Sequence, residues 1–182
     1  GGAGVDSIDG GAGNDIIVVA DDASFKVSGG VETVNGGLGT DTLAFTEADA
    51  LTLTAPELSQ LYSVEKITLG SNTTSLTFGN ETFTNLGNSS LQITTTSTDN
   101  VTTIDGSAVS NGSFLIVDDG SNDNSDSLVG GSGDDIFRFS STTGLTDGDT
   151  VTGGAGTDTI QVDNTAAATI DMDFNKVTGS NS

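Results

Sequence analysis

The chain has 182 residues, 26 of them acidic and only 4 basic, for a formal net charge of −22, and it contains no cysteine and no histidine. Lys26, Lys66, Arg138 and Lys176 are too few for the cationic stripe that nucleic acid or an anionic membrane surface demands. A disulfide framework is excluded, and no apolar run approaches the length of a membrane span.

In chain order, two nine-residue phrases come first, GGAGVDSID at 1–9 and GGAGNDIIV at 10–18. After an insert at 19–26 stands a weakened copy, VSGGVETVN at 27–35, with Glu32 in place of Asp, and then GGLGTDTLA at 36–44. The region 45–120 lacks the phrase and is rich in Thr. Its alternating β-branched residues predict strands near 51, at 66–69, 75–78, 91–96, 101–105 and 113–118, with one short helix near 56–62 where Pro56 precedes Leu58, Leu61 and Tyr62. The phrase resumes with a degenerate SNDNSDSLV at 121–129, a clear GGSGDDIFR at 130–138, a degenerate GLTDGDTVT at 144–152 and a clear GGAGTDTIQ at 153–161. Residues 162–182 begin a further coil, and the segment reads as an excerpt of a longer polypeptide.

Within Gly-Gly-x-Gly-x-Asp-x-apolar-x, the glycines at positions one, two and four permit φ > 0 and close backbone approach. The Asp at position six places a carboxylate where turn meets strand, and hard oxygens of that kind suit Ca²⁺. The apolar residue at position eight points to the opposite face, into a core. Two ladders of strand centres follow. One runs Ile17, Leu43, Ile67, Ile93, Ile116, Ile136 (or Phe137) and Ile160; the other runs Ile8, Val34, Leu53, Leu76, Ile104, Leu128, Val151 and Ile170. Their spacing predicts one elongated all-β solenoid with coils longer than eighteen residues, phrase-bearing at 1–44 and 121–161 and phrase-free between them.

The five clear phrases resemble the RTX calcium-binding repeat, and their pairing around long Thr-rich inserts is similar to that of bacterial S-layer proteins and large RTX adhesins. The resemblance implies a right-handed parallel β-roll or β-helix that binds calcium in its glycine-rich turns, on the order of four to six ions. Carried over by position, the metal ligands are Asp15 and Asp41 with the carbonyls of Gly11, Gly13, Gly37 and Gly39 in one stack, and Asp135 and Asp158 with those of Gly131, Gly133, Gly154 and Gly156 in another. Asp126 and Asp149 form a counterpart on the opposite edge, and Asp6 faces Glu32. The family also implies type I secretion and folding outside the cell.

The leading functional class is therefore an extracellular structural module of a surface layer, fibre or adhesin stalk. Its expected partners are calcium ions, further copies or repeats end to end, and a cell-surface polysaccharide; neither nucleic acid nor membrane insertion is expected. A folding and secretion region of an RTX enzyme or toxin is the alternative. A Thr-ladder ice- or surface-binding solenoid ranks lower, because uneven coils spoil a regular array. Catalysis within these residues is not expected, although Asp abundance alone leaves a paired-carboxylate glycosidase open. The sequons at Asn72, Asn80, Asn88, Asn100 and Asn111 follow from the abundance of Asn, Ser and Thr.

Overall fold

A computed structural model describes residues 4–20, 25–26, 30, 32–46, 50–70, 74–95, 101–118, 125–140, 145, 148–163 and 177–178. Its strands are β1 (Ser7–Asp9), β2 (Ile16–Val19), β3 (Thr33–Asn35), β4 (Thr42–Phe45), β5 (Leu51–Leu53), β6 (Leu61–Tyr62), β7 (Lys66–Leu69), β8 (Thr74–Gly79), β9 (Ser90–Thr95), β10 (Thr102–Ala108), β11 (Ser113–Asp118), β12 (Ser127–Val129), β13 (Ile136–Phe139), β14 (Thr150–Thr152), β15 (Thr159–Val162) and β16 (Val177–Thr178). Two helices are described, α1 (Ala55–Leu58) and α2 (Asn80–Leu86).

The chain is a parallel β-solenoid, as the phrase predicts. One wall is a seven-stranded sheet in the order β15-β13-β11-β9-β7-β4-β2. The other wall is split into β1-β3-β6 and β16-β14-β12-β10-β8-β5. All pairings are parallel, and equivalent strand-centre residues in successive coils lie 21 to 28 positions apart. Inward side chains stack in columns: Leu43, Ile67, Ile93, Ile116 and Phe137 on the seven-stranded wall, and Leu53, Leu76, Ile104, Leu128 and Val151 opposite, all at most 2% exposed. Continuous columns at the strand spacing of about 4.8 Å bury each coil against its neighbours, which is how a thin solenoid acquires a core.

Three expectations change in detail. Phe137, not Ile136, pairs with Ile116 and Ile160; it holds position eight of its phrase, whereas Ile136 at position seven points outward and is 38% exposed. The second ladder is not continuous, because Val34 pairs with Leu61 rather than Leu53, and Leu53 begins the six-stranded sheet by pairing with Leu76. One coil thus carries two strands, β5 and β6, with α1 between them. At the far end Val151 pairs with Val177, while Ile170 lies outside the described residues.

The helix expected over 56–62 stops at Leu58, and Leu61–Tyr62 joins a sheet. Glu57 closes the helix start by accepting the Thr54 N–H at 2.6 Å, and tertiary pairing with Val34 and Asn35 captures the next residues as strand. α2 was not anticipated. It ends at Gly87 with φ +71, a left-handed helix stop, and it buries Thr82, Phe83 and Leu86. The Phe114 ring makes edge contacts with Phe83 and Phe78, with centroids 5.1 and 5.2 Å apart. This trio thickens the core in the region that has no glycine phrase.

Candidate calcium-binding turns

The corner between the two walls is not built the same way in every coil. Glycine turns join β1 to β2 (10–15) and β3 to β4 (36–41), a short turn at 63–65 joins β6 to β7, α2 joins β8 to β9, a loop at 109–112 joins β10 to β11, and glycine turns return at 130–135 and 153–158. The solenoid therefore carries its glycine phrases as two stacked pairs flanking a differently supported middle.

Stacking explains the glycines more sharply than backbone freedom alone. Positions two and four take positive φ in three clear copies: Gly11 (+96) and Gly13 (+123), Gly37 (+103) and Gly39 (+142), Gly154 (+104) and Gly156 (+110). A Cβ on Gly37 would collide with the Gly11 carbonyl, one on Gly39 with the Gly13 carbonyl, and those on Gly154 and Gly156 with the carbonyls of Gly131 and Gly133. Gly131 and Gly133 are not among the positive-φ glycines, so the 130–135 turn has a different path. Position one is glycine for space rather than for φ. A Cβ on Gly10 would stand 2.9 Å from Asp15 Oδ2, and one on Gly36 would stand 2.7 Å from Asp41 Oδ2. The same conflict arises between Gly130 and Asp135 and between Gly153 and Asp158.

The position-six acids form columns along the solenoid. Each turns back to accept the main-chain N–H at its own level in the preceding coil. Asp41 Oδ1 accepts from Asp15 N at 2.7 Å, Asp158 Oδ1 from Asp135 N at 3.1 Å, and Asp135 Oδ1 from Phe114 N at 2.7 Å. On the opposite edge Asp126 Oδ1 accepts from Thr102 N at 2.7 Å, Asp149 Oδ1 from Asp126 N at 2.9 Å, and Glu32 Oε2 from Asp6 N at 2.5 Å. The predicted pairs Asp15–Asp41, Asp135–Asp158, Asp126–Asp149 and Asp6–Glu32 thus each occupy neighbouring coils.

Glu65 continues the first column, accepting Asp41 N on Oε2 at 2.7 Å and Asn88 Nδ2 on Oε1 at 2.6 Å. It escaped the motif search because three residues of the turn are missing before it. Its signal is the pattern Val-Glu-x-apolar, shared by 31–34 and 64–67. Position five was missed as well. Asn14 Oδ1 accepts from Thr40 N at 2.9 Å, and Asp134 Oδ1 accepts from Thr157 N at 2.8 Å. These side chains stitch one turn to the next without a metal.

The second carboxylate oxygen separates the copies. Asp15 Oδ2 and Asp41 Oδ2 are buried and accept no hydrogen bond, although Asp41 is only 1% exposed. A buried carboxylate oxygen without a donor is costly, and stacked acids at one-coil spacing repel. Among the described residues the ion pairs are Lys26 with Glu57 and Arg138 with Asp163, and neither reaches this column. Such an oxygen, next to stacked glycine carbonyls, fits a hard divalent cation. Asp135 contrasts with it. Its Oδ2 accepts Gly131 N at 2.8 Å, so main-chain donors occupy both of its oxygens. Burial raises its pKa above the ordinary carboxylate value, opposed by those two N–H groups and aided by Asp158 and Asp134. Protonation therefore favours the folded chain at acid pH, and that contribution is lost as pH rises through the folded-state pKa.

Among the described residues, no three acidic side chains converge on one point. The turns instead offer one carboxylate per coil with main-chain oxygens around it. The sequon asparagines in described positions are already engaged: Asn80 Oδ1 accepts from Ser110 N at 2.6 Å, Asn88 donates to Glu65, and Asn111 Nδ2 donates to Asn80 O at 3.0 Å.

No curated protein and no solved structure gives a significant match to the chain. The family model for the RTX calcium-binding nonapeptide repeat (4 copies) matches residues 1–23, 121–138 and 143–164. Those spans contain four of the five clear phrases, and the copy at 36–44, with positive φ at Gly37 and Gly39 and a donorless Asp41 Oδ2 as in the copy at 10–18, lies outside them. The chain carries RTX calcium-binding nonapeptide repeats, built into the turns of a parallel β-solenoid.

Proposed function

We propose that this chain is a calcium-stapled structural module that works outside the cell, in a surface layer, fibre or adhesin stalk, after type I secretion. The buried, donorless oxygens of Asp15 and Asp41 carry this reading, because they leave charge that a cation would neutralise. Calcium supplies that charge when bound, together with a preference for six to eight oxygen ligands. The chain's own residues do the rest. Position-six acids fix the register between coils through main-chain N–H groups, glycines bring carbonyls within reach, and the apolar columns exclude water behind the turns.

RTX repeats are typical of secreted proteins, which supports the extracellular assignment. Extracellular calcium modules work at about 10⁻⁴ to 10⁻³ M, so the chain would stay incompletely ordered where calcium is scarce and close where it is abundant. The module has a scaffold role and no catalytic one; end-to-end association and polysaccharide contact belong to the same proposal. Among the described residues, no helix is long and apolar enough to cross a membrane.

Calorimetry with circular dichroism across a calcium titration tests the reading. Stability is expected to rise with calcium by about 2.7 kcal/mol per site at a hundredfold excess over Kd, seen as a higher melting temperature and a stronger strand signal. An unchanged melting curve after complete chelation would contradict it.

A further inference from the structure

The 63–65 turn lies outside both the nonapeptide phrases and the matched repeats, yet it completes the same arrangement of oxygens. At Gly10, the point where a Cβ would stand is faced by Asp15 Oδ2 at 2.9 Å and by the Gly36 carbonyl of the next coil at 2.5 Å. At Gly36, the corresponding point is faced by Asp41 Oδ2 at 2.7 Å and by the Ser63 carbonyl. Ser63 thus takes the place that a first glycine holds in the phrase. Among the described residues it is also the non-glycine residue with positive φ, +49, a conformation that is uncommon for such residues. Asp41 is 1% exposed with Oδ2 unpartnered, and Glu65 brings a further negative charge one coil on, against Asp41 N.

We propose that a calcium ion binds between the 36–41 turn and the 63–65 turn, held by Asp41 Oδ2 and the Ser63 carbonyl, at a hybrid site joining a phrase-bearing coil to a phrase-free one. The proposal rests on the calcium reading above and adds a particular position to it. Glu65 acts there through its charge and through its bond to Asp41 N, since Asn88 and Asp41 already occupy its two oxygens. The site therefore marks where the first run of calcium turns along this column gives way to apolar coils. The next residue at the level of Glu65 is Leu91 and the one after it Phe114, both fully apolar.

Tyr62 makes the calcium turns at this end of the solenoid observable. It is the one tyrosine in a chain without tryptophan, and it immediately precedes Ser63. Terbium, a hard oxygen-seeking cation that replaces calcium, should emit on tyrosine excitation when bound there and be displaced by calcium. Asp41→Asn keeps an acceptor for Asp15 N while removing the charge. It is expected to bind one calcium ion fewer by native mass spectrometry and to weaken terbium binding at this position about tenfold or more. A wild-type chain that binds no calcium would overturn the calcium reading as a whole. A wild-type chain that binds calcium but shows no tyrosine-sensitised emission would overturn this site alone, whatever the folding of the variants. Retention of the ion in folded Asp41→Asn would do the same.

Discussion

Gly37→Ala is expected to destabilise the calcium-loaded chain by about 4 kcal/mol, roughly half from a backbone conformation hostile to a side chain and half from forced overpacking. The overpacking arises because the new methyl would meet the Gly11 carbonyl, a main-chain atom fixed by its hydrogen bond from Leu38 N at 2.8 Å. Gly11→Ala is the internal comparison. It occupies the same phrase position, with φ +96, but its Cβ would meet nothing within 4 Å. Its cost should be the backbone component alone, about 2 kcal/mol. Urea titrations of the two variants measure the difference. Equal costs would mean that the coils do not stack as described, because only stacking distinguishes the two sites.

Phe114→Ala should cost about 3–5 kcal/mol, the range for emptying a large aromatic site in a packed core. The ring is 1% exposed and is wedged between Phe78 and Phe83. Gly106 and Gly112 have no room for a Cβ, the first because of Phe114 and the second because of Phe83, so neighbouring backbone is moulded around these rings. The main-chain N–H of Phe114 also donates to Asp135 Oδ1, which connects the aromatic plug to the second block of phrases. Since the trio lies among phrase-free coils, the loss should be nearly the same in excess calcium and after chelation. A loss confined to the calcium-loaded protein would place the ring's contribution in the wrong part of the solenoid.

The phrase made the turns legible because each of its positions has a separate physical duty, and those duties repeat in phase with the strands. Position eight was read correctly wherever register was respected; Ile136 entered the ladder through hydrophobicity alone, and its neighbour Phe137 holds the inward position. The division of one wall into two sheets was not legible. It depends on β5 and α1 being accommodated within a single coil, which is a matter of tertiary pairing rather than local pattern. α2 was hidden because Asn80–Leu86 contains four residues of weak helix propensity, Asn80, Thr82, Thr84 and Asn85, and forms by burying Phe83 and Leu86. Glu65 was hidden by a shortened turn.

The candidate site divides in the same way. The position-six acids and the stacking of their turns follow from the motif, whereas the fate of each second oxygen does not. Asp41 and Asp135 occupy identical phrase positions, yet one leaves Oδ2 without a donor and the other engages the N–H of Gly131. That difference depends on the path of the turn. Gly37 and Gly39 adopt positive φ, and their counterparts Gly131 and Gly133 do not.

Hydrogen exchange resolved along the chain, with and without calcium, tests the central claim most directly: that calcium staples phrase-bearing turns onto a middle that packs by itself. In calcium, protection is expected throughout the strands and across the turns at 10–15 and 36–41. After chelation, β8 to β11 should remain protected while those two turns and the flanking β2 and β4 exchange faster. Protection that is the same at every position with and without calcium would contradict the account, as would complete loss of protection in β8 to β11 when calcium is removed.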